Sequence, residues 1–208
     1  MRKLFLLSCI AVIYLCSFTT GDYNGIDISH HNKVNWKAVA ENSNIQFCYI
    51  KATEGANTKD PKCKEYVEVA RQIRLHVGLY HYFRTDVSAQ KQFLNFKQEF
   101  DATHTDMIPV IDIEDKGNDF SNMGQVNQNL SELIDLFHHE YGKYPVVYLG
   151  SWNATKTLSC TCKCFKWVRC LAFYNLIPNL FMKQIGIEDI GGDRTDVNYC
   201  KDIQQLML

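Results

Sequence analysis

The chain is poor in the features that mark several large classes of protein. Lysine and arginine (22) do not outnumber aspartate and glutamate (23), and the formal net charge is −1. A nucleic-acid-binding protein would carry a basic stripe, so this composition argues against one. No internal repeat, low-complexity tract or linker rich in proline, glycine and serine interrupts the sequence, which holds only four prolines. We therefore expect a single domain.

Long apolar runs are also scarce, since the chain has only one, at its N-terminus. Residues 4–16 are almost continuously apolar, follow the basic pair Arg2 and Lys3, and precede small and polar residues. A membrane-spanning helix needs roughly 20 apolar residues, whereas this shorter pattern is typical of a secretory signal peptide. We predict a signal peptide at residues 1–21 and a mature domain at residues 22–208, with no membrane attachment after cleavage.

Cysteine, by contrast, is abundant in a way that fits a secretory route. Nine cysteines are present, and seven would remain after removal of the signal peptide. Disulfides are the default in an oxidising compartment, and an odd number leaves at least one thiol unpaired within the chain. We expect Cys48, inside an apolar segment, to be that thiol. A zinc site at Cys160, Cys162 and Cys164 is an alternative, although its ligand spacing is not the usual one.

Strand-like and helix-like segments alternate along most of the chain. The predicted strands are residues 25–29, 46–51, 77–83, 107–113 and 145–149, and the predicted helices are residues 34–42, 61–75, 87–100 and 123–141. The helical pattern then fades, and further strands are predicted at residues 167–173, 180–185 and 195–199. This alternation predicts parallel strands with crossover helices. A doubly wound sheet and a small β/α barrel both fit, but a full barrel needs about 250 residues, so a barrel here would lack helices near its C-terminus.

Carboxylates occur within or at the ends of three predicted strands. In Ile111-Asp112-Ile113-Glu114 the side chains alternate across the strand, so the two acids face one way and the two isoleucines the other. Like charges held close raise at least one carboxyl pKa, which keeps an acid protonated for proton donation near neutral pH. The pair is therefore a candidate for acid catalysis.

Asp27 and Asp196 repeat this design in the first and last predicted strands. Asp27 lies between two isoleucines, and Asp196 lies in the segment 195–198 (TDVN). Because the first and last strands are neighbours in a closed barrel, both acids could meet Asp112 and Glu114 at one end. Each acid taken alone could instead cap a helix or lie in a solvated loop, but their repetition in three strands favours a site.

The series of short motifs that contains these acids resembles glycoside hydrolase family 25, the Chalaropsis-type lysozymes. The resemblance covers residues 25–203. Its motifs are GIDIS (25–29), IKATEG (50–55), KDP (59–61), GLYHYF (78–83), PVIDIED (109–115), VVYLGSW (146–152), LAFYN (171–175) and TDVN (195–198). It implies an irregular TIM-like β/α barrel with about five β/α units followed by three strands lacking full helices. It also implies hydrolysis of the β-1,4 bond between N-acetylmuramic acid and N-acetylglucosamine in bacterial peptidoglycan.

Site roles also follow from the resemblance. Glu114 matches the proton donor, and Asp112 matches the neighbouring acid that orients or stabilises the substrate's acetamido group. Asp27 and Asp196 match the other two site acids. The aromatic residues matching those that line the groove are Tyr80, Tyr82 and Tyr148. The predicted partner is peptidoglycan glycan, with no metal, no cofactor and no nucleic acid, and we expect a monomer that is secreted or held in a lysosome-type vesicle.

This chain departs from the family pattern near its C-terminus. A tryptophan usually lies directly before the segment that LAFYN matches, whereas residues 169–171 read Arg-Cys-Leu here and Trp167 lies upstream. The usual Trp-Gln pair of the next strand is replaced at residues 182–184 by Met-Lys-Gln. These changes leave the four acids intact and leave the preference of the glycan subsites open.

Two other functions compete with a lysozyme. One is a catalytically inactive glycan-binding module on the same barrel, which the intact acids argue against. The other is a family 18 chitinase, whose D-x-x-D-x-D-x-E signature would need aspartate where Met107 and Val110 stand.

Nearby polar residues have simpler explanations than catalysis. His30 and His31 are expected to hydrogen-bond at the rim, because the zinc-binding pattern H-E-x-x-H is absent. Lys51 and Glu54 are expected to form a structural ion pair.

Overall fold

The computed structural model describes residues 23–169 and 176–208, which form a barrel surrounded by helices. The strands are β1 (Gly25–Ile28), β2 (Phe47–Glu54), β3 (Thr58–Lys59), β4 (His76–Tyr82), β5 (Val110–Ile113), β6 (Val146–Leu149), β7 (Lys166–Arg169), β8 (Leu180–Ile190) and β9 (Asp193–Cys200). The α-helices are α1 (Trp36–Glu41), α2 (Cys63–Gln72), α3 (Ala89–Thr103) and α4 (Met123–Tyr141). Short 3₁₀ helices lie at Ala154–Thr157 and Ile203–Leu206.

The barrel closes because β1 pairs with both β2 and β9. Around the barrel the strands follow the order β1, β9, β8, β7, β6, β5, β4, β2. Neighbours from β1 through β2, β4, β5, β6 and β7 to β8 are parallel, whereas β9 runs antiparallel to both β8 and β1. The two-residue β3, too short to show a periodic pattern, pairs antiparallel with the end of β2. The structure therefore selects the irregular barrel over the doubly wound sheet.

Among the described residues, α-helices follow only the first four strands of the barrel. An α-helix comes after each of β1, β2, β4 and β5, while β6 is followed by the 3₁₀ helix alone. The ends of α4 agree with the sequence prediction. The Asn122 side chain accepts a hydrogen bond from the Gln125 backbone N–H at 3.2 Å, and Gly142 ends the helix at a φ of 72°. The fading of the helical pattern after residue 149 is confirmed.

The start of α2 differs from the prediction, which places Pro61 in the first turn. The helix begins at Cys63, and Pro61 lies in the preceding turn. The Asp60 carboxylate accepts a hydrogen bond from the Lys62 backbone N–H at 2.9 Å, and the Asp60 carbonyl accepts one from Cys63 at 3.2 Å. These local bonds hold the turn and delay the helix.

The β8–β9 hairpin is longer than predicted. β8 continues to Ile190 rather than ending at residue 185, and the chain reverses at Gly191 and Gly192, whose φ values are 67° and 94°. Residues 170–173 of the predicted strand 167–173 lie outside the described residues. The outer part of β8 is largely exposed and lacks a clear alternation of polar and apolar residues, so its pairing with β9 is not visible in the sequence.

The barrel wall separates two apolar layers. Ile111 and Ile113 pack between the barrel and its helices, whereas Val110 packs inside the barrel with Tyr148 and Trp167. This confirms the predicted alternation along β5 and turns Asp112 towards the interior.

The cysteines are distributed over both layers. The six in the described residues are free thiols, so the predicted disulfides are not confirmed: Cys48, Cys63, Cys160, Cys162, Cys164 and Cys200. Cys48, the predicted unpaired thiol, and Cys63 lie outside the barrel wall, while Cys200 lies within it. No group of three His, Cys, Asp or Glu residues in residues 23–169 and 176–208 is arranged to hold a metal ion.

The N-terminal apolar run and Cys170 lie outside the described residues, and with them the predicted signal peptide. Within the described ranges, none of the helices combines the length and apolar character that crossing a membrane requires.

Candidate active site

A cleft with a volume of about 320 Å³ opens at the end of the barrel where β5 leads into Glu114. Its lining residues come from β1 and from β4 to β9, so side chains distant in sequence face one space. Four carboxylates line the cleft: Asp27, Asp112, Glu114 and Asp196. The structure thus brings together the four acids that the sequence singles out.

Asp27 and Asp196 lie side by side on adjacent strands. The register of β1 and β9 places the two residues opposite each other. Burial and the charge of Asp196 raise the pKa of Asp27 to about 7. Asn198 and Gln184 partly oppose this shift by donating hydrogen bonds to Asp27 Oδ2, at 2.8 and 3.3 Å. Burial also raises the pKa of Asp196, and the charge of Arg169 acts against that increase.

The raised pKa of Asp27 predicts a pH-dependent cost in stability. Folding disfavours the ionised carboxylate, so stability falls as the pH rises from the ordinary value of 3.8 through about 7. Asp27→Asn removes this titration but keeps an oxygen that accepts the bonds from Asn198 and Gln184. We expect its free energy of unfolding at pH 8 to exceed that of the wild type by about 2 kcal/mol, less than the full shift because the cleft is open to solvent. Urea denaturation from pH 4 to 8 measures the free energy of unfolding of both proteins. If the difference between them does not change with pH, the prediction is contradicted.

Asp112 is the most deeply buried of the four acids, with 8% of its surface exposed. Its Oδ1 atom is buried and has no hydrogen-bond partner among the described residues. Burial, followed by the charges of Glu114 and Asp27, raises its pKa well above the usual range. A buried polar atom without a partner is uncommon in a folded protein, so Asp112 Oδ1 is a candidate for direct contact with a ligand.

Glu114 lies one residue beyond β5, nearer to solvent than Asp112. Burial raises its pKa, while the charges of Arg169 and Lys51 act in the opposite direction. Glu114 is therefore a carboxyl that keeps its proton to higher pH than an exposed glutamate and remains accessible from the cleft.

Gly150 provides the space that the Glu114 side chain occupies. A Cβ atom at Gly150 would lie 2.7 Å from Glu114 Cγ and 2.8 Å from Tyr148 Cε1. We therefore predict that Gly150→Ala displaces Glu114 and lowers kcat on a glycan substrate by roughly 10- to 100-fold, since small misplacements of a catalytic group are costly. Steady-state kinetics checks this. Gly124→Ala on α4, where the nearest atom would be 3.6 Å away, is the control, and equal rates for both variants would contradict the positioning role.

A chain of hydrogen bonds beneath the acids was not predicted. Tyr148 donates to Gln184 Oε1 at 2.8 Å, and Trp167 Nε1 donates to Asn198 Oδ1 at 3.1 Å. Gln184 and Asn198 in turn hold Asp27. In the sequence, Trp167 and Gln184 stand out only as departures from the family pattern, and no role is predicted for Asn198. Asn198 lies two residues after Asp196, so alternation along β9 is the signal that could have found it.

The three predicted groove aromatics occupy different environments. Tyr80 and Tyr148 line the cleft, but Tyr82 is not among its lining residues. The Tyr82 hydroxyl donates to the Lys116 carbonyl at 2.9 Å, and the Lys51 ammonium lies 4.8 Å from the centre of its ring. Tyr82 is nevertheless close to the acids, since burial and the charges of Glu114 and Asp112 raise its pKa.

The other polar residues near the rim make the contacts that the sequence suggests. Lys51 forms the predicted ion pair with Glu54, at 2.9 Å. His30 Nδ1 lies 2.7 Å from Asp60 Oδ2, which agrees with hydrogen bonding at the rim.

Comparison with known sequences finds relatives of this chain, among them one that is named as a lysozyme. The chain is 32% identical over 133 residues to the uncharacterized protein YegX of Escherichia coli K12, a match that covers 62% of this chain and 48% of that protein. It is 30% identical over 152 residues to Lysozyme M1 of Streptomyces globisporus, covering 64% of this chain and 51% of that protein. The chain thus spans about half the length of these relatives.

Solved structures show the same fold at lower sequence identity. A family GH25 lysozyme from Aspergillus fumigatus superposes with a TM-score of 0.73 at 23% identity, covering 88% of this chain and 96% of that one. A bacterial lysozyme from Streptomyces coelicolor gives a TM-score of 0.73 at 23% identity, with 90% and 96% coverage. The sequence model of the family described as "Glycosyl hydrolases family 25" matches residues 26–172, which is more than half of the chain. The chain belongs to glycosyl hydrolases family 25.

Proposed function

We propose that the protein is a lysozyme that hydrolyses the β-1,4 bond between N-acetylmuramic acid and N-acetylglucosamine in bacterial peptidoglycan. The observation that carries the proposal is the group of four carboxylates around one cleft, one of which has a buried oxygen without a partner. Family membership and the relative named Lysozyme M1 support this choice of reaction and substrate.

Glu114 is the proposed general acid. Glycoside hydrolysis needs a carboxyl that donates a proton to the leaving oxygen, and burial raises the pKa of Glu114 towards the range where it still carries that proton. The charges of Arg169 and Lys51 limit this increase, so the group can also lose its proton to the leaving sugar.

Asp112 is the proposed partner of the substrate's acetamido group. Its unpaired Oδ1 could accept the acetamido N–H and turn the acetamido oxygen towards the anomeric carbon, which is the substrate-assisted route. Asp112 and Glu114 lie on the same face of one strand segment, two residues apart, and would approach the bond from the same side. That arrangement favours orientation of the acetamido group over direct attack by Asp112.

The other two acids face this pair across the mouth of the barrel. In both directions around the barrel, β9 is four strands away from β5. Asp196 therefore lies on the side of the barrel opposite Asp112, with Asp27 beside it. We propose that their partial negative charge stabilises the positive charge that develops at the anomeric carbon. Tyr80 and Tyr148 offer rings for sugar faces to pack against.

The alternative is an inactive module that only binds glycan. It is less favoured, because binding alone does not require four carboxylates whose mutual repulsion and burial raise their pKa values at a cost in stability. The proposal includes a monomeric protein, secreted or held in a vesicle lumen, that acts on peptidoglycan without a cofactor. The N-terminal apolar run supports this location.

Incubation of purified peptidoglycan with the mature protein, residues 22–208, tests the proposed function. We expect the suspension to clear between pH 4 and 8 and mass spectrometry to identify new N-acetylmuramic acid reducing ends. New N-acetylglucosamine reducing ends would contradict the proposed bond. A folded protein that sediments with peptidoglycan but releases no sugar would support the glycan-binding module instead.

A further inference from the structure

Arg169 is the one basic residue among those that line the cleft in the described part of the chain. It ends β7, two residues after Trp167 and therefore on the same, inward face of the strand. Its charge lowers the pKa of Glu114 and Asp196, yet its guanidinium forms no ion pair or hydrogen bond with any described residue. The side chain is also exposed. Its guanidinium donors are thus available to a ligand in the cleft.

A side recess of about 230 Å³ opens beside Arg169. It is lined by Arg169, Gln184, Ile185, Gly186, Ile187 and Asp196. Four of these residues also line the cleft, so the recess branches from it. The pairing of β8 with β9 is irregular between Gln184 and Gly186, where an extra residue bends the strand. The recess therefore combines one cation, Arg169, with one carboxyl group, Asp196, and an apolar side chain, Ile187, that is 48% exposed.

The chemistry of this recess fits a small carboxylate that carries an apolar group. A guanidinium binds a carboxylate through paired charge-assisted hydrogen bonds. In the proposed substrate, N-acetylmuramic acid differs from N-acetylglucosamine by a lactyl ether, whose one carbon beside the ether oxygen carries a methyl group and a carboxyl group. In intact peptidoglycan this carboxyl forms an amide with the stem peptide and has no charge, whereas in glycan freed of peptides it is an anion.

We propose that Arg169 binds the free lactyl carboxylate of N-acetylmuramic acid in this recess, so that the protein prefers glycan strands from which the stem peptides have been removed. This inference rests on the proposed function and adds a determinant of specificity to it. An anionic strand would otherwise be repelled by the four carboxylates of the cleft, and Arg169 offsets that repulsion. An amide hydrolysis that cuts the lactyl–peptide bond would supply the preferred substrate.

Two matched glycans test the inference. One is soluble glycan with free lactyl carboxylates, prepared by amidase digestion, and the other is the same glycan with its carboxylates converted to neutral methyl amides. For the wild type we expect kcat/KM to be about tenfold higher on the charged glycan, mainly through KM, which is the effect of one charge-assisted contact. In Arg169→Gln this ratio should fall to about 1 or below, because the carboxylates of the cleft then repel the charged glycan, and Arg169→Lys should retain part of the preference.

The ratio of kcat/KM on the charged glycan to kcat/KM on the neutral glycan separates binding of the carboxylate from the effect of Arg169 on the pKa of nearby acids. Loss of the Arg169 charge also raises the pKa of Glu114 and Asp196 and so changes the absolute rate, but that change applies to both glycans. Arg194→Gln, at an exposed arginine of β9 outside the cleft and the recess, is the control and should keep the wild-type ratio. A ratio near 1 in the wild type, or an unchanged ratio in Arg169→Gln, would overturn the inference.

Failure of this inference can be told apart from failure of the proposed hydrolysis. If the wild type cleaves neither glycan, the proposed hydrolysis is wrong. The affinity of the protein for each glycan, measured by calorimetry, then tests the inference about Arg169 independently. Tighter binding of the charged glycan by the wild type, and loss of that preference in Arg169→Gln, would support it. Equal binding of both glycans by the wild type would overturn it.

Discussion

Glu114→Gln should lower kcat on peptidoglycan by about 1,000-fold and leave KM within a fewfold of the wild type, because a general acid contributes 10²–10⁴-fold and acts in the transition state. Glutamine keeps the shape of the side chain and the space beside Gly150, but it has no proton to give to the leaving oxygen. The rate of formation of new reducing ends at several substrate concentrations separates kcat from KM.

The matched control for this variant is Glu132→Gln, at an exposed glutamate of α4. It should behave as the wild type, and thermal unfolding of both variants checks that they fold. A loss of less than tenfold in Glu114→Gln would reject Glu114 as the acid. Asp112 would then be the next candidate, because burial holds its pKa well above the usual range.

Asp112→Asn should lower kcat by about 100-fold, a smaller loss than Glu114→Gln produces. In the substrate-assisted route Asp112 orients the acetamido group, and the asparagine oxygen can still accept the N–H but without a negative charge. If Asp112 were instead the nucleophile, the variant would form no covalent intermediate and the loss would approach complete inactivity. Steady-state kinetics on soluble glycan distinguishes these outcomes.

A second measurement, on the wild-type protein, tests directly whether Asp112 forms a covalent bond to the sugar. Wild-type protein quenched during turnover and digested should contain no peptide that carries a sugar on Asp112. A glycosylated peptide containing Asp112 would establish a covalent intermediate and reject the substrate-assisted route. Its absence together with a loss of about 100-fold in Asp112→Asn would agree with orientation of the acetamido group.

Some of the acids proposed to act in catalysis also lower the stability of the folded protein. Asp27 and Asp112 have raised pKa values because the fold buries them near other carboxylates. Each therefore opposes folding when it is ionised. This cost is the reason for the higher stability expected of Asp27→Asn.

The sequence by itself determined the features that depend on neighbouring residues. Alternation along Ile111, Asp112 and Ile113 assigns the acid to the barrel interior, since the side-chain period of a strand is a local property. The same holds for the ends of α4, where Asn122 and Gly142 satisfy backbone groups of their own helix. The alternation of strands and helices predicted parallel strands but fitted both a doubly wound sheet and a barrel. The resemblance to the family added the barrel and the roles of the acids.

Only the tertiary structure decided the features that depend on strand pairing. The antiparallel pairing of β9 with β1 and β8 brings Asn198 and Gln184 to Asp27, and no pattern within any one strand predicts that contact. The recess beside Arg169 arises from the irregular pairing of β8 with β9. The pKa values depend on how deeply each carboxyl is buried and on charges from other strands, so they too follow from packing between distant segments.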